Sequence, residues 1–279
     1  MTDDHRGRSV IITGASAGLG AALARAFADA GANLTLLARR QDRLEQVATD
    51  CRARGGEVVT VIGDVTQIDD GQRLTAAAVA AHGGIDCLIA NAGLSMWAPF
   101  EQVTDLTLFR RLMEVNYLGA VHCVHPALPY LQERHGQFVA ISSIQGRLAV
   151  PNHTGYVAAK HALQGFCNTL RLEQADRGVG VLTVLLHWLR GTELRSHAFA
   201  ADGTPVGDGR RAHTGESVSL EQACAAILGG VARRERELVI PWKLKALMTL
   251  QGLRPASAEA IVQRAVRKQD THSTGTGDP

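Results

Sequence analysis

The chain has 279 residues, 46% of them hydrophobic, enough to bury one sizeable core near the upper end of single-domain size. Its 29 Lys and Arg against 27 Asp and Glu leave a formal charge of +2, and the basic residues are scattered, which argues against nucleic acid or another polyanion as partner. Five widely spaced cysteines (Cys51, Cys87, Cys123, Cys167 and Cys224) include no Cys-x-x-Cys pair, so they read as buried thiols in a reducing compartment. The opening MTDDHRGRS lacks the apolar stretch of a secretory signal, and no apolar run is long enough to span a bilayer; a soluble cytoplasmic protein is the expectation.

In chain order, short β-type runs alternate with helical patterns: SVIIT (9–13), NLTLLA (33–38), EVVTVI (57–62), DCLIA (86–90), QFVAIS (137–142), GVLTVLL (180–186) and ELVI (237–240). Ala-rich amphipathic stretches such as GAALARAFADAG and LTAAAVAAHG lie between them. Strands that are apolar throughout and separated by helices predict an α/β protein with a doubly wound parallel sheet of the Rossmann type, about seven strands with helices on both faces. This single domain is expected to span residues 1–241. The usual winding puts the first strand at the centre, with a switch point between the first and fourth strands where ligands collect beyond the carboxyl ends.

The polar, Gly-rich stretch within residues 193–219 is too long for a plain connection and reads as a substrate lid. Ser219 with Gln222 has the spacing of a capping box opening the next helix. Residues 242–279 form a basic, partly amphipathic tail interrupted by Pro255, and THSTGTGDP at its end is expected to be disordered. Packing of this tail on the protein or on a partner subunit is favoured over contact with a membrane surface.

The first strand runs into Thr13-Gly14-Ala15-Ser16-Ala17-Gly18-Leu19-Gly20 and a helix, a turn whose backbone can approach a pyrophosphate at the helix N-terminus. After the second strand, where an acid would meet the ribose hydroxyls of NAD, stand Ala38, Arg39 and Arg40; arginine offers a charge-assisted fork to a 2′-phosphate, so NADP is favoured. Asp64-Val65 ends the third strand and Asn91-Ala92-Gly93 the fourth, both on the predicted ligand edge. An Asp there can accept from the adenine amino group, Val65 can pack beside the base, and the small Ala92-Gly93 pair allows close backbone approach.

Tyr156 and Lys160, four residues apart in YVAAK, share one helix face, and a nearby ammonium lowers a phenol's pKa towards neutrality. Ser143 ends the fifth strand 13 residues before the tyrosine, and Asn116 lies 40 before it. In this order and spacing, TGASAGLG, ANAG, the helical Asn, the second Ser of ISS and YxxxK resemble the short-chain dehydrogenase/reductase family over roughly residues 7–242. The resemblance implies that Tyr156 is the general acid or base at a carbonyl or alcohol oxygen and that Ser143 stabilises charge on that oxygen. Lys160 would bind the nicotinamide ribose and depress the tyrosine pKa, and Asn116 would hold a water that relays the proton. It also implies a homodimer or homotetramer formed through the helices holding Asn116 and Tyr156.

In that family the sixth strand normally ends in Pro-Gly, followed by a Thr that meets the nicotinamide carboxamide. With Thr192 in that place, His187 and Trp188 stand where Pro and Gly are expected. One reading makes Trp188 an aromatic wall of the substrate cleft with activity retained. Another has the nicotinamide end displaced, leaving a non-catalytic or weakly active NADP-binding sensor or scaffold. A third gives His187 an acid-base role near the ring, a structural histidine being the preferred account.

Met96, Trp97, Gln145, Leu148, His153, His187 and Trp188 follow strand ends and are expected as pocket walls for a mostly apolar carbonyl or alcohol with one or two polar anchors. His122 and His125 lack partners for a metal set and read as packing or surface residues. The expected function is an NADP-dependent oxidoreductase acting on a small-molecule ketone or aldehyde and the corresponding alcohol. A methyltransferase, which can share a glycine-rich turn, would have no use for Ser143, Tyr156 and Lys160 together.

Overall fold

The computed structural model describes residues 5–207 and 217–273. Its first half runs β1 (Ser9–Thr13), α1 (Gly18–Asp29), β2 (Asn33–Ala38), α2 (Gln41–Arg52), β3 (Val58–Ile62), α3 (Ile68–His82), β4 (Cys87–Ala90), α4 (Thr107–Met113) and, through a π-helical turn at Glu114–Leu118, α5 (Gly119–Glu133). The second half runs β5 (Gln137–Ser143), α6 (Thr154–Glu173), β6 (Gly180–Leu186), α7 (Leu220–Ala232), β7 (Glu237–Ile240), α8 (Leu244–Leu253) and α9 (Pro255–Ser273). The strands form one parallel sheet in the order β3-β2-β1-β4-β5-β6-β7, so the switch point falls between β1 and β4 as expected. Four strands keep the bounds read from the sequence; β3 and β4 begin one residue later, and β5 runs one further to include Ser143.

Alternation along the strands divides the core. Val10 and Ile12 of β1 face a layer made by Leu23 and Phe27 of α1, Leu44 and Val47 of α2, and Ile227 and Val231 of α7. Ile11 faces the other way, against Leu74 of α3, Leu131 of α5 and Leu163 of α6. With both faces covered, the central strands β1, β2, β4, β5 and β6 are buried almost throughout, which is why their sequences are mostly apolar, while the edge strand β3 is half-exposed. The five cysteines are free and buried, as expected of structural thiols.

The predicted capping box is formed: the Ser219 hydroxyl accepts from the Gln222 backbone N–H at 3.1 Å while the Gln222 side chain accepts from the Ser219 N–H. His122 packs with Nδ1 3.0 Å from the Val65 carbonyl oxygen, and no cluster of metal-ligating side chains occurs among the described residues.

The described part of the expected lid is tied to the body of the protein: Phe199 is buried, its N–H donates to the Ser95 carbonyl at 2.9 Å, and its own carbonyl accepts from Trp97 N–H at 2.8 Å. Its central residues 208–216 lie outside the described residues. In the tail, Pro255 interrupts the chain as expected: α8 ends at Leu253 and Pro255 opens α9, at a position where its missing N–H has no bond to lose. Residues 271–273, expected in a disordered end, belong to α9, while 274–279 lie outside the described residues. Helix α8 lays Leu244, Leu247 and Met248 on Ile144, Leu148, Leu185 and Val239, so the start of the tail packs on the protein itself. No helix among the described residues is long and apolar enough to cross a membrane.

Candidate active site

A cavity of about 510 Å³ runs along the carboxyl edge of the sheet, from the glycine turn after β1 to the loop after β6. At one end its wall is backbone. Gly14 sits at φ +65°, and a Cβ there would lie 2.9 Å from the Ala92 Cα; a Cβ on Gly20 would lie 2.3 Å from the Gly14 carbonyl oxygen. Only glycine fits either place. Asn91 fixes the approach of the two loops, its Nδ2 donating to the Thr13 carbonyl at 2.9 Å and its N–H to the Thr13 hydroxyl at 3.0 Å.

Ala17 is the N-cap of α1, and no side chain caps the helix, so its first-turn N–H groups are available to an anionic ligand. Ser16, Ala17, Gly18, Leu19, Asp64, Val65, Ala92 and Gly93 line this end, as do Arg39 and Arg40. The cradle therefore fits a dinucleotide pyrophosphate, with guanidinium groups at the far end. Arg39 lies 3.6 Å from Asp64 and Arg40 3.7 Å from Glu193, whose two carboxylate oxygens each accept from Arg43 at 3.1 Å. Thr192 rests on the turn, 3.7 Å from the place a Gly18 Cβ would take.

At mid-cavity the structure brings together Ser143, Tyr156, Lys160 and Asn116. Ser143 ends β5, and its hydroxyl donates to the Leu186 carbonyl at 3.2 Å while accepting from Gln145 N–H. Tyr156 and Lys160 lie one turn apart on α6, with Nζ 5.6 Å from the phenol ring centroid and donating to the Ile141 carbonyl at 3.0 Å. Asn116 stands in the π-turn, where the shifted helix ladder leaves the Leu112 carbonyl to accept from Nδ2 at 3.0 Å. The other Nδ2 hydrogen goes to the Leu94 carbonyl at 2.9 Å, so a water could bond this side chain only through Oδ1, which already accepts from Leu94 N–H.

In the protein alone, burial sets the protonation of both groups. Burial pushes the Tyr156 hydroxyl up to about 12, with the Ser143 hydroxyl the group acting in the opposite direction. Burial also pushes Lys160 down to about 8. Desolvation is the largest influence on both groups.

The other end of the cavity is made of side chains. His153, His187, Trp188 and Gln145 line it, and the Gln145 Oε1 is buried without a protein partner among the described residues. Trp188 packs at ring-centroid distances of 6.2 Å from His153 and 6.0 Å from Trp97. Burial pushes His187 down to about 4, which keeps the imidazole neutral near pH 7.

Three expected wall residues stand elsewhere. Met96 is fully buried under α4, its sulfur accepting from Gly155 N–H, and Leu148 belongs to the cluster under α8. Trp97 stands behind His153, to which it presents an edge at 4.5 Å. Sequence reasoning missed Arg111, Arg195 and Phe199 on the wall. Arg195 and Phe199 were hidden inside the supposed lid; Arg111 lies five residues before Asn116 and carried no separate signal.

A doubly wound sheet with a glycine turn at its switch point and a Ser/Tyr/Lys set beside it defines the class of dinucleotide-binding α/β oxidoreductases. The model of the short chain dehydrogenase family matches residues 8–202, and the chain belongs to that family. It is 34% identical over 264 residues to 11-beta-hydroxysteroid dehydrogenase 1A of Arabidopsis thaliana, covering 93% of this chain and 75% of that one. It is 33% identical over 269 residues to a dehydrogenase/reductase SDR family protein 7-like of Anopheles gambiae, covering 94% and 84%. Among solved structures, an alcohol dehydrogenase from the archaeon Thermococcus sibiricus complexed with 5-hydroxy-NADP superposes with a TM-score of 0.71 at 25% identity, covering 83% of this chain and 95% of that one.

Proposed function

We propose that the protein is an NADP-dependent oxidoreductase that interconverts a ketone or aldehyde and the corresponding alcohol. The observation that carries this reading is the meeting of Ser143, Tyr156 and Lys160 in one cavity with the uncapped N-terminus of α1 and with Arg39 and Arg40. Gly14, Gly18 and Gly20 with the first turn of α1 would hold the pyrophosphate, Arg39 and Arg40 a 2′-phosphate, and Lys160 and Thr192 the nicotinamide end. The nicotinamide supplies or accepts the hydride when bound.

What the chain itself does is hold and move a proton at one oxygen. Tyr156 is protonated at neutral pH, so it is ready to donate to a carbonyl oxygen that is gaining charge. Ser143 sits on the strand end beside it and can donate to the same oxygen in place of its bond to Leu186. Lys160, buried behind the ring, supplies the positive charge that favours loss of the Tyr156 proton, while Asn116 holds the Leu94 loop against the π-turn. Trp188 leaves the cavity open rather than filling it, which favours the reading of an aromatic wall over that of a disabled scaffold.

The reading is tested by following NADPH and NADH consumption against a panel of ketones and aldehydes, with Kd for both nucleotides measured on Arg39→Ala and Arg40→Ala. Turnover is expected with NADPH, and loss of either arginine should weaken NADPH binding about tenfold more than NADH binding. Equal use of NADH with no effect of either substitution would overturn the cofactor assignment.

A further inference from the structure

Two arginines on the cavity wall have no part in the chemistry above. Arg195 is half-buried with its guanidinium 4.4 Å from the centre of the Trp188 ring, and Arg111 places its own 4.5 Å from the centre of Phe199. Both line the cavity at the end occupied by Trp188, His153 and Phe199. Among the described residues, the carboxylates that line the cavity are Asp64 and Glu193. Asp64 faces Arg39 at 3.6 Å, and Glu193 is held by Arg43 at 3.1 Å, so both are engaged at the nucleotide end. No carboxylate of the described residues lies within ion-pair distance of Arg195 or Arg111, although Asp105 acts on Arg111 at longer range.

A guanidinium stacked on an indole keeps its edge hydrogens free, and those form a planar fork that matches a carboxylate. Burial also lowers the Arg195 pKa, as it does for a cation whose counterion is not supplied by its surroundings. The ring contacts run from Tyr156 to His153 at 6.4 Å, from His153 to Trp188 at 6.2 Å, and from there to Arg195 at 4.4 Å, which puts the guanidinium within reach of a substrate whose oxygen meets Tyr156.

We propose that the substrate is an anionic alcohol or ketone, a carboxylate on an apolar or aromatic skeleton, whose charge is received by Arg195 with Arg111 while its reacting oxygen lies at Tyr156. This rests on the oxidoreductase reading for the position of the reacting oxygen, but the anion site stands on the arginines alone. The site selects by charge: a neutral ketone of the same shape leaves Arg195 without a carboxylate partner among the described residues.

The test compares aryl ketones carrying a carboxylate on linkers of increasing length with their methyl esters, measuring kcat/KM with NADPH for each pair. A sulfate counterpart of the best carboxylate shows which anion is preferred. At least one carboxylate is expected to exceed its ester about tenfold. That ratio should collapse in Arg195→Gln, survive in part in Arg195→Lys, and fall as salt is raised in the wild-type protein. In parallel, binding of 4-phenylbutyrate and 4-phenylbutyramide is followed by tryptophan fluorescence with NADP present. Tighter binding of the carboxylate that Arg195→Gln removes supports the anion site even if no ketone is turned over, in which case the oxidoreductase reading fails alone. Turnover of esters and carboxylates at equal, salt-insensitive rates, with no preference in binding, would overturn the anion site and leave the oxidoreductase standing.

Discussion

At the nucleotide end the cavity is walled by backbone: Gly14 and Gly20 are positions where a single methyl group would strike Ala92 or a carbonyl oxygen. At the substrate end it is walled by side chains, Trp188 against His153 and Arg195 over Trp188. Backbone walls are set by φ and by close approach, so they tolerate one residue type and serve a ligand that does not change. Side-chain walls rest on rotamers and ring contacts, so they can be exchanged to suit a different substrate without disturbing the sheet beneath.

Four substitutions sharpen or break that contrast. The largest effect belongs to Ser143, which stands between the two ends: Ser143→Ala should lower kcat about 10²- to 10³-fold with little change in thermal stability, read by steady-state kinetics and by Tm. At the backbone end, Gly20→Ala should cost about 1–3 kcal/mol of stability and weaken nucleotide binding, because the new methyl meets the Gly14 carbonyl oxygen rather than a side chain that can move. Denaturant unfolding and NADPH titration measure both, and a variant as stable as wild type would show that the turn has slack.

At the side-chain end, Trp188→Ala should leave the fold intact while shifting relative kcat/KM between small and bulky ketones about tenfold, about 1.4 kcal/mol. A change in NADPH affinity larger than the change in selectivity would instead place Trp188 at the nicotinamide. The smallest effect concerns His187, which burial pushes down to about 4 from an ordinary value of 6.5. The unfolded chain takes up this proton near pH 6.5 and the folded protein only near 4. The stability is therefore fully present above pH 6.5 and is lost as pH falls towards 4, by about 1 kcal/mol at pH 5.5. Unfolding at pH 7 and 5.5 should show that loss in the wild type and a smaller one in His187→Gln.

The same contrast explains what could be read from sequence. Strands buried on both faces must be apolar throughout, and glycines forced by close approach cannot be replaced, so β1, β6 and the TGASAGLG turn were legible. So was the i, i+4 pair of Tyr156 and Lys160, since helix geometry alone puts them on one face. Met96 and Leu148 follow strand ends, but in irregular backbone no period dictates where a side chain points, and both turn into the core. Arg195 and Phe199 lie in a polar, glycine-containing stretch whose composition marks a lid but gives no period to show which of its side chains meet the cavity; backbone hydrogen bonds between Phe199 and Ser95 and Trp97 fix it against the body. For a related reason, spacing reveals the neighbouring ammonium but not the depth of burial that raises the Tyr156 pKa in the protein alone.

The central claim, that one phenol moves the proton for the whole reaction, is met most directly by measuring kcat for the best ketone with NADPH in wild type and in Tyr156→Phe, alongside NADPH binding to both. The account predicts that the variant still binds NADPH and turns over about 10³-fold more slowly or not at all. A variant that binds NADPH and reduces the ketone at the wild-type rate would contradict it.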